Sequence, residues 1–270
     1  MALALKLAGL SEVPADSGID VPAENVKRAL FGIDADVGDL LLAKQLGFDL
    51  LINHHPTGGG SQVNLPQVLR RHAVLLEHAG VPRAAAERAV DALLDEHESA
   101  AHARNYEKLP SEARLLGVPL MAIHNPCDEI GRQVMDETLR TGLPKDPRVR
   151  DAIRVLNALP EFQKALTKIV VRMGSEQNPL GKWVVIHGAG TNGGYPVAKA
   201  AFDHGIDTVF YIHIDAGHLR RLREEFGREG PKNLVVTGHI ASDSLGINVL
   251  VRELRKGGVA VECYGGVLDV

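Results

Sequence analysis

The sequence predicts an α/β protein of two domains, each built on a largely parallel sheet. Three observations carry that expectation. The chain has 270 residues, enough for two cores of ordinary size. Short apolar runs alternate with stretches of helical periodicity, the pattern of strands linked by crossover helices. The alternation occurs in both halves, around a connection at 142–150 that carries Pro144 and Pro147.

Taken in order, residues 26–33 read as a short buried strand and 39–46 as a helix ending at Gly47. Residues 50–53 make a second apolar strand. From 65 to 116 the texture turns to charged, Ala-rich helix, in which Ala84, Ala85, Ala86, Ala89, Leu93, Leu94 and Ala101 fall near the 3.6 period. It breaks at 80–82 and reads as a helical insertion, placed at about 62–116. The strand pattern returns at 120–123, followed by a helix through 134–139. Beyond the connection, strands are read at 169–172 and 183–186, a helix around 197–202, and strands at 208–212 and 234–237. A helix ending near Gly257 and a last strand at 259–264 complete the chain. The expected domains are 1–125, holding the insertion, and 126–270, whose last segment returns to the cleft.

Composition narrows the class. Hydrophobic residues make up 45% and charged residues 24%, proportions of an ordinary globular protein. No apolar run approaches the roughly 20 residues that span a bilayer, and the opening Met-Ala-Leu-Ala-Leu-Lys lacks the basic flank of an export signal. Two cysteines, Cys127 and Cys263, make no disulfide framework and fit a reducing, cytoplasmic setting. With a formal charge of −4 and no large Lys/Arg cluster, general affinity for nucleic acid is not indicated. The 12 histidines outnumber all Phe, Tyr and Trp side chains together. Some, such as His72, His78 and His97, read as solvated helix residues.

Three segments could carry chemistry, and each directly follows an apolar strand, where open α/β sheets gather ligands. The first is Asn53-His54-His55-Pro56. Neighbouring side chains on an extended chain diverge, so two adjacent histidines reach two ions better than one, which points to a dinuclear site; the plain alternative is a polar turn before Gly58, Gly59 and Gly60. The second is His124-Asn-Pro-Cys-Asp128. Its carboxylate could bridge two ions, its histidine could be a ligand, a hydrogen-bond donor to one or a proton carrier, and Asp128 also suits a helix N-cap. The third, Gly238-His239-Ile-Ala-Ser-Asp243, sets His239 and Asp243 at i and i+4 on one helical face. His54, His55, Asp128, His239 and Asp243 form a mixed N/O set suited to Zn, Mn, Fe or Co. Asp34, at a strand end, reads as a partner of His54 or a structural hydrogen bond. Cys127 reads as packing.

These segments resemble the Nif-three-like family, whose members are often described as GTP cyclohydrolase I type 2. The likeness runs from Val26 to Pro56, through Ala122–Asp128 and Gly238–Asp243 to the final strand. By motif position it implies the same five ligands for two divalent ions, a two-domain α/β fold and a toroidal hexamer. Two departures stand out. The family usually has glutamate at Asp243, so the helix here must come closer or a water must bridge. The 68 residues between His55 and His124 exceed the family spacing, as the insertion requires. In place of the family's Thr-Gly-Glu-like segment stands Tyr211-Ile-His213-Ile-Asp215-Ala-Gly-His218, whose histidines are not taken as ligands.

The resulting expectation is a metal-assisted hydrolase of a phosphorylated or nucleotide-like small molecule, with His124 moving the proton and Asp128 shared between the ions. Two alternatives stand beside it. One is a non-catalytic metal-binding or regulatory protein acting through a protein partner. The other is a dinucleotide-binding oxidoreductase, because Gly188, Gly190 and Gly193 follow a strand and open a helix, with Asp215 at the end of the next strand. The family's own Gly/Ser-rich turn accounts for those glycines without a dinucleotide.

Overall fold

The computed structural model describes residues 1–270. In chain order the elements are α1 (Ala2–Ala8), β1 (Gly18–Val21), β2 (Arg28–Gly32), α2 (Val37–Gln45), β3 (Leu50–Asn53), α3 (Gly59–Val63), α4 (Leu65–Val68), α5 (Arg71–His78), α6 (Arg83–His102) and α7 (Lys108–Leu116). There follow β4 (Leu120–Ala122), α8 (Asn125–Gly142), α9 (Val149–Leu156), α10 (Pro160–Lys164), β5 (Val170–Met173) and β6 (Trp183–Ile186). The chain ends with α11 (Gly194–Asp203), β7 (Thr208–Tyr211), α12 (Ala216–Phe226), β8 (Asn233–Val236), α13 (His239–Lys256) and β9 (Ala260–Cys263). No helix is long and apolar enough to cross a membrane.

The strands form two sheets, ordered β1-β4-β3-β2-β9 and β5-β8-β7-β6. All pairings are parallel except β1 with β4 and β5 with β8, at one edge of each sheet. The central strands β3 and β8 are buried at every position, as strands covered on both faces must be. Strand β9 pairs with β2, so the end of the chain completes the first sheet. Four of the elements the sequence reading did not anticipate are α1, α9, β1 and α12; the last two lack an apolar run, since β1 is half-exposed and α12 buries only Leu222 among its charged residues.

Helix α2 opens on a capping box, in which the Asp36 side chain accepts from Gly38 and the Asp39 side chain accepts from the Asp36 amide. Helices α5, α6 and α11 cover one face of the second sheet with a core that includes Leu76, Val90, Leu93, Val197 and Phe202. His72 belongs there too: expected to be solvated, it is fully buried, its Nε2 3.3 Å from the Thr191 hydroxyl, and burial pulls its pKa down to about 3.

Helices α8 and α13 form a layer shared by both sheets. Leu139 and Leu245 pack on the second, while Cys127, Ile247 and Leu250 pack on the first. They approach backbone to backbone. A Cβ on Gly246 would stand 1.8 Å from the Cys127 carbonyl oxygen and 2.9 Å from the Gly131 nitrogen, and one on Gly131 would stand 3.0 Å from the Ser242 oxygen. No Cβ fits at Gly246, and one at Gly131 would push main chain back by a few tenths of an ångström, because main-chain atoms cannot swing aside.

Gly246→Ala therefore lowers stability by about 3 kcal/mol or more, through overpacking against backbone. Gly217→Ala, on α12 with no atom within 4 Å of its would-be Cβ, is neutral or stabilising by up to about 1 kcal/mol. Urea unfolding of the two variants side by side checks the contrast.

Candidate metal centre

The site is assembled at the carboxyl ends of the parallel strands. After β3 the His54 amide donates to Gly32 and the His55 amide to Ile33, so the ladder continues long enough to fix both side chains. His54 turns inward and is fully buried, whereas His55 faces the cleft. Their rings are 4.9 Å apart. His124 follows β4 and is the N-cap residue of α8, and His239 opens α13 behind Gly238, whose φ of 106° suits glycine.

Three imidazoles are held by the same device. His54 Nδ1 donates to the Ile123 carbonyl at 3.1 Å, His55 Nδ1 to Asp34 at 2.8 Å and His124 Nδ1 to Asp16 at 2.8 Å. Since a carbonyl or carboxylate can only accept, Nδ1 is the donor in each contact and Nε2 faces the cleft, the atom that a metal ion would take in exchange for any proton there. Asp34 thus supports His55, not His54. Asp16 is fully buried, and its neighbour Ser17 accepts from the His124 amide through its hydroxyl.

Two carboxylates face those nitrogens. Asp128 Oδ1 lies 3.1 Å from His54 Nε2 and its Oδ2 3.5 Å from His124 Nε2. Asp243 Oδ2 lies 3.2 Å from His239, 3.5 Å from His55 and 3.7 Å from His54, each at Nε2. Three groups have donor atoms all within 4.8 Å of one another: His54 with His55 and His124, His55 with His239 and Asp243, and His54 with Asp128 and Asp243. All five expected ligands therefore meet in one place. Asp128 sits in the first turn of α8 and is not its N-cap. Asp243, rather than Asp128, belongs to two of the groups that contain a carboxylate.

The donor chemistry fits a divalent ion. His54 Nε2, His187 Nε2, Asp128 Oδ1 and both Asp243 oxygens are buried without a hydrogen-bond partner, and buried polar atoms in native proteins are otherwise almost always satisfied. Burial pushes the Asp128 carboxyl up, but the facing His187, His124 and His54 outweigh it and hold it below the usual carboxylate range. Burial likewise opposes ionisation of Asp243, and the facing His55, His54 and His239 bring it down. His55, pulled down by burial, is pushed up more strongly by the facing Asp243 and its hydrogen bond to Asp34, to about 10. Burial brings His239 down to about 4.

A cavity of about 480 Å³ opens from the cluster. Glu96 and His97 of α6, with Arg104 just beyond, line it together with His213 and His218. His213 Nδ1 accepts from the Asn192 amide at 2.8 Å and stands outside the three groups. The glycine turn borders the cavity but has packing reasons for its composition. A Cβ on Gly188 would press on the Glu129 backbone, one on Gly193 on Val197, and Gly190 lies against Val68 and Leu69. The amides of Gly193 and Gly194, which a phosphate would need, already donate to the Thr191 and Asn192 side chains. The dinucleotide reading of Gly188, Gly190 and Gly193 therefore finds no support in this geometry.

Sequence reasoning missed His187 and Asp16. His187 directly follows β6, the signal that singled out His54 and His124, but its segment was read for glycines. Asp16 has no local signature.

No family model matches the sequence, and no curated protein does. Among solved structures, a NIF3 superfamily protein from Sphaerobacter thermophilus is 47% identical over 98% of this chain and 96% of its own, with a TM-score of 0.94. Reduced HcgD from Methanocaldococcus jannaschii (14% identity, TM-score 0.55, 97% and 93% covered) shares the fold. So does a Bacillus cereus protein related to NIF3 (11%, TM-score 0.51, 97% and 94% covered).

The shifted histidines set a pH dependence for the chelated protein. His55 holds its proton more tightly folded than unfolded, so its contribution is complete below about pH 6.5 and is lost as pH rises towards 10. His239 and His72 act oppositely, costing stability as pH falls from about 6.5 towards 4 and 3. The melting temperature in EDTA should peak near pH 6.5 and fall by roughly 5 °C or more towards pH 10. His55→Gln flattens the alkaline limb, and a parent curve still rising above pH 8 contradicts the assignment.

Proposed function

Because the chain belongs to the NIF3 superfamily, we propose that it is a dinuclear divalent-metal-binding protein acting as a metal-dependent hydrolase on a phosphorylated or nucleotide-like small molecule. The observation that carries this reading is the pair of overlapping donor groups, His54 with Asp128 and Asp243, and His55 with His239 and Asp243, at the floor of one cavity. Asp243 is assigned as the shared carboxylate. Asp128 turns one oxygen to His54 and the other to His124, so it serves the inner group. The mixed N/O donors suit Zn, Mn, Fe or Co.

Divalent ions held there supply Lewis acidity and a nucleophile usable at neutral pH. The protein supplies the rest. Asp16 fixes the His124 ring so that Nε2 can take a proton at the cleft and return it to a leaving group. Arg104 and His97 offer positive or donating groups to an anionic substrate on the opposite wall. A homo-oligomer, hexameric as in the resemblance, is part of the proposal; exposed Leu41, Leu42 and Leu46 in and just after α2 suit a protein-covered face.

Elemental analysis of protein purified without an affinity tag should give near two equivalents of metal per chain. Asp243→Ala loses both and Asp128→Ala keeps one; full retention by Asp243→Ala refutes the shared-carboxylate assignment. Across a panel of phosphoesters and nucleotides, hydrolysis should depend on added Mn or Zn, and His124→Gln should keep its metal while turnover drops by roughly 10²–10⁴. Loss of metal in His124→Gln would make His124 a ligand, as its grouping with His54 and His55 allows. Full metal content with no turnover on any substrate favours the regulatory alternative.

A further inference from the structure

His187 is a buried imidazole outside the three donor groups. It follows the last residue of β6 as His54 follows the last residue of β3. It is 2% exposed, and its Nε2 has no hydrogen-bond partner. That atom lies 3.7 Å from Asp128 Oδ1 and 4.0 Å from Asp243 Oδ1. The ring fits against α8 at the gap left by Gly131, whose Cβ would be 3.4 Å from His187 Cδ2. Left-handed Gly188 then turns the chain away. A ring placed this carefully, yet bonded to neither carboxylate, is short of a partner.

We propose that His187 is the fourth protein ligand of an inner ion shared with His54, Asp128 and Asp243, so that the two ions are held unequally. This rests on the dinuclear reading above. The inner set is buried, each residue being less than 5% exposed, with His54 behind Asp128, His187 and Asp243, which border the cavity. The outer set, His55, His239 and Asp243, is open, with the His239 side chain 40% exposed. Donors around a tetrahedral ion stand about 3.3 Å apart. His54 meets the two carboxylates at 3.1 and 3.7 Å and His187 meets them at 3.7 and 4.0 Å, so His187 has to move a few tenths of an ångström inward to complete the shell. Four protein ligands in a closed shell make a slowly exchanging, structural ion, while three ligands beside a cavity leave a position for substrate. The inner ion would also tie the sheets together, with His54 from the first and His187 from the second.

Cobalt-loaded protein challenged with excess EDTA should release metal in two phases of about one equivalent each, separated by roughly tenfold or more in rate. In His187→Ala the slow phase joins the fast one. A single phase in the parent, or a slow phase that survives His187→Ala, overturns the proposal. His187→Glu keeps a donor at comparable reach and guards against a folding defect: it should recover a slow phase that His187→Ala lacks. Two bound equivalents released by His187→Glu in a single fast phase also overturn the proposal while leaving the dinuclear reading intact. A parent that binds no cobalt, zinc or manganese defeats both.

Discussion

The backbone contact between α8 and α13 sets the position of everything that carries chemistry. Asp128 lies three residues before Gly131 and Asp243 three before Gly246, so each carboxylate stands one helical turn from the point where the helices touch. With Cβ atoms at the crossing, the axes would have to part. The two carboxylates would then separate from each other and from the strand-end histidines. The same layer serves both sheets as core, so hydrophobic burial and the polar cluster constrain a single spacing.

Electrostatics explains why imidazoles surround that pair. Two buried carboxylates repel each other and lose their hydration, a cost of several kcal/mol per ion unless compensated. Compensation here is ordered by outer partners. Asp16, Asp34 and the Ile123 carbonyl each accept a hydrogen bond from an Nδ1, which leaves Nε2 of three rings aimed inward. These partners also restrict ring rotation, so the donor positions owe little to the ion that would use them. The more exposed groups around the cavity, among them Glu96 and His97 of α6, stand apart from this cluster.

Much of this was legible in the sequence, for a local reason. His54, His124 and His239 come within two or three residues of an apolar run, and a strand end is the place where a side chain leaves the sheet. His239 and Asp243 needed only helical periodicity. What could not be read depended on contacts made by folding. His72 looks like a solvated helix residue until α5 is laid on the glycine turn, 119 residues away in sequence at Thr191. Asp16 meets His124 across 108 residues, from a segment with no periodicity. The glycines at 188, 190 and 193 show the opposite failure, a clear local pattern whose cause is left-handed backbone at all three, with close packing at 188 and 193, rather than a phosphate.

Asp243 joins the helix contact to the histidine cluster. The resemblance places glutamate here in most of the family, and a shorter acid requires either a closer helix or a water. The geometry favours the closer helix. Asp243 Oδ2 reaches three imidazole nitrogens within 3.2–3.7 Å, and α13 is pressed onto α8 by a contact that admits no Cβ. Side-chain length and helix spacing are thus one variable. Asp243 is 1% exposed, so an added methylene would have to displace a neighbouring ring or lift α13 from Gly131. A carboxylate common to both donor groups tolerates neither, since any movement that relieves one group strains the other.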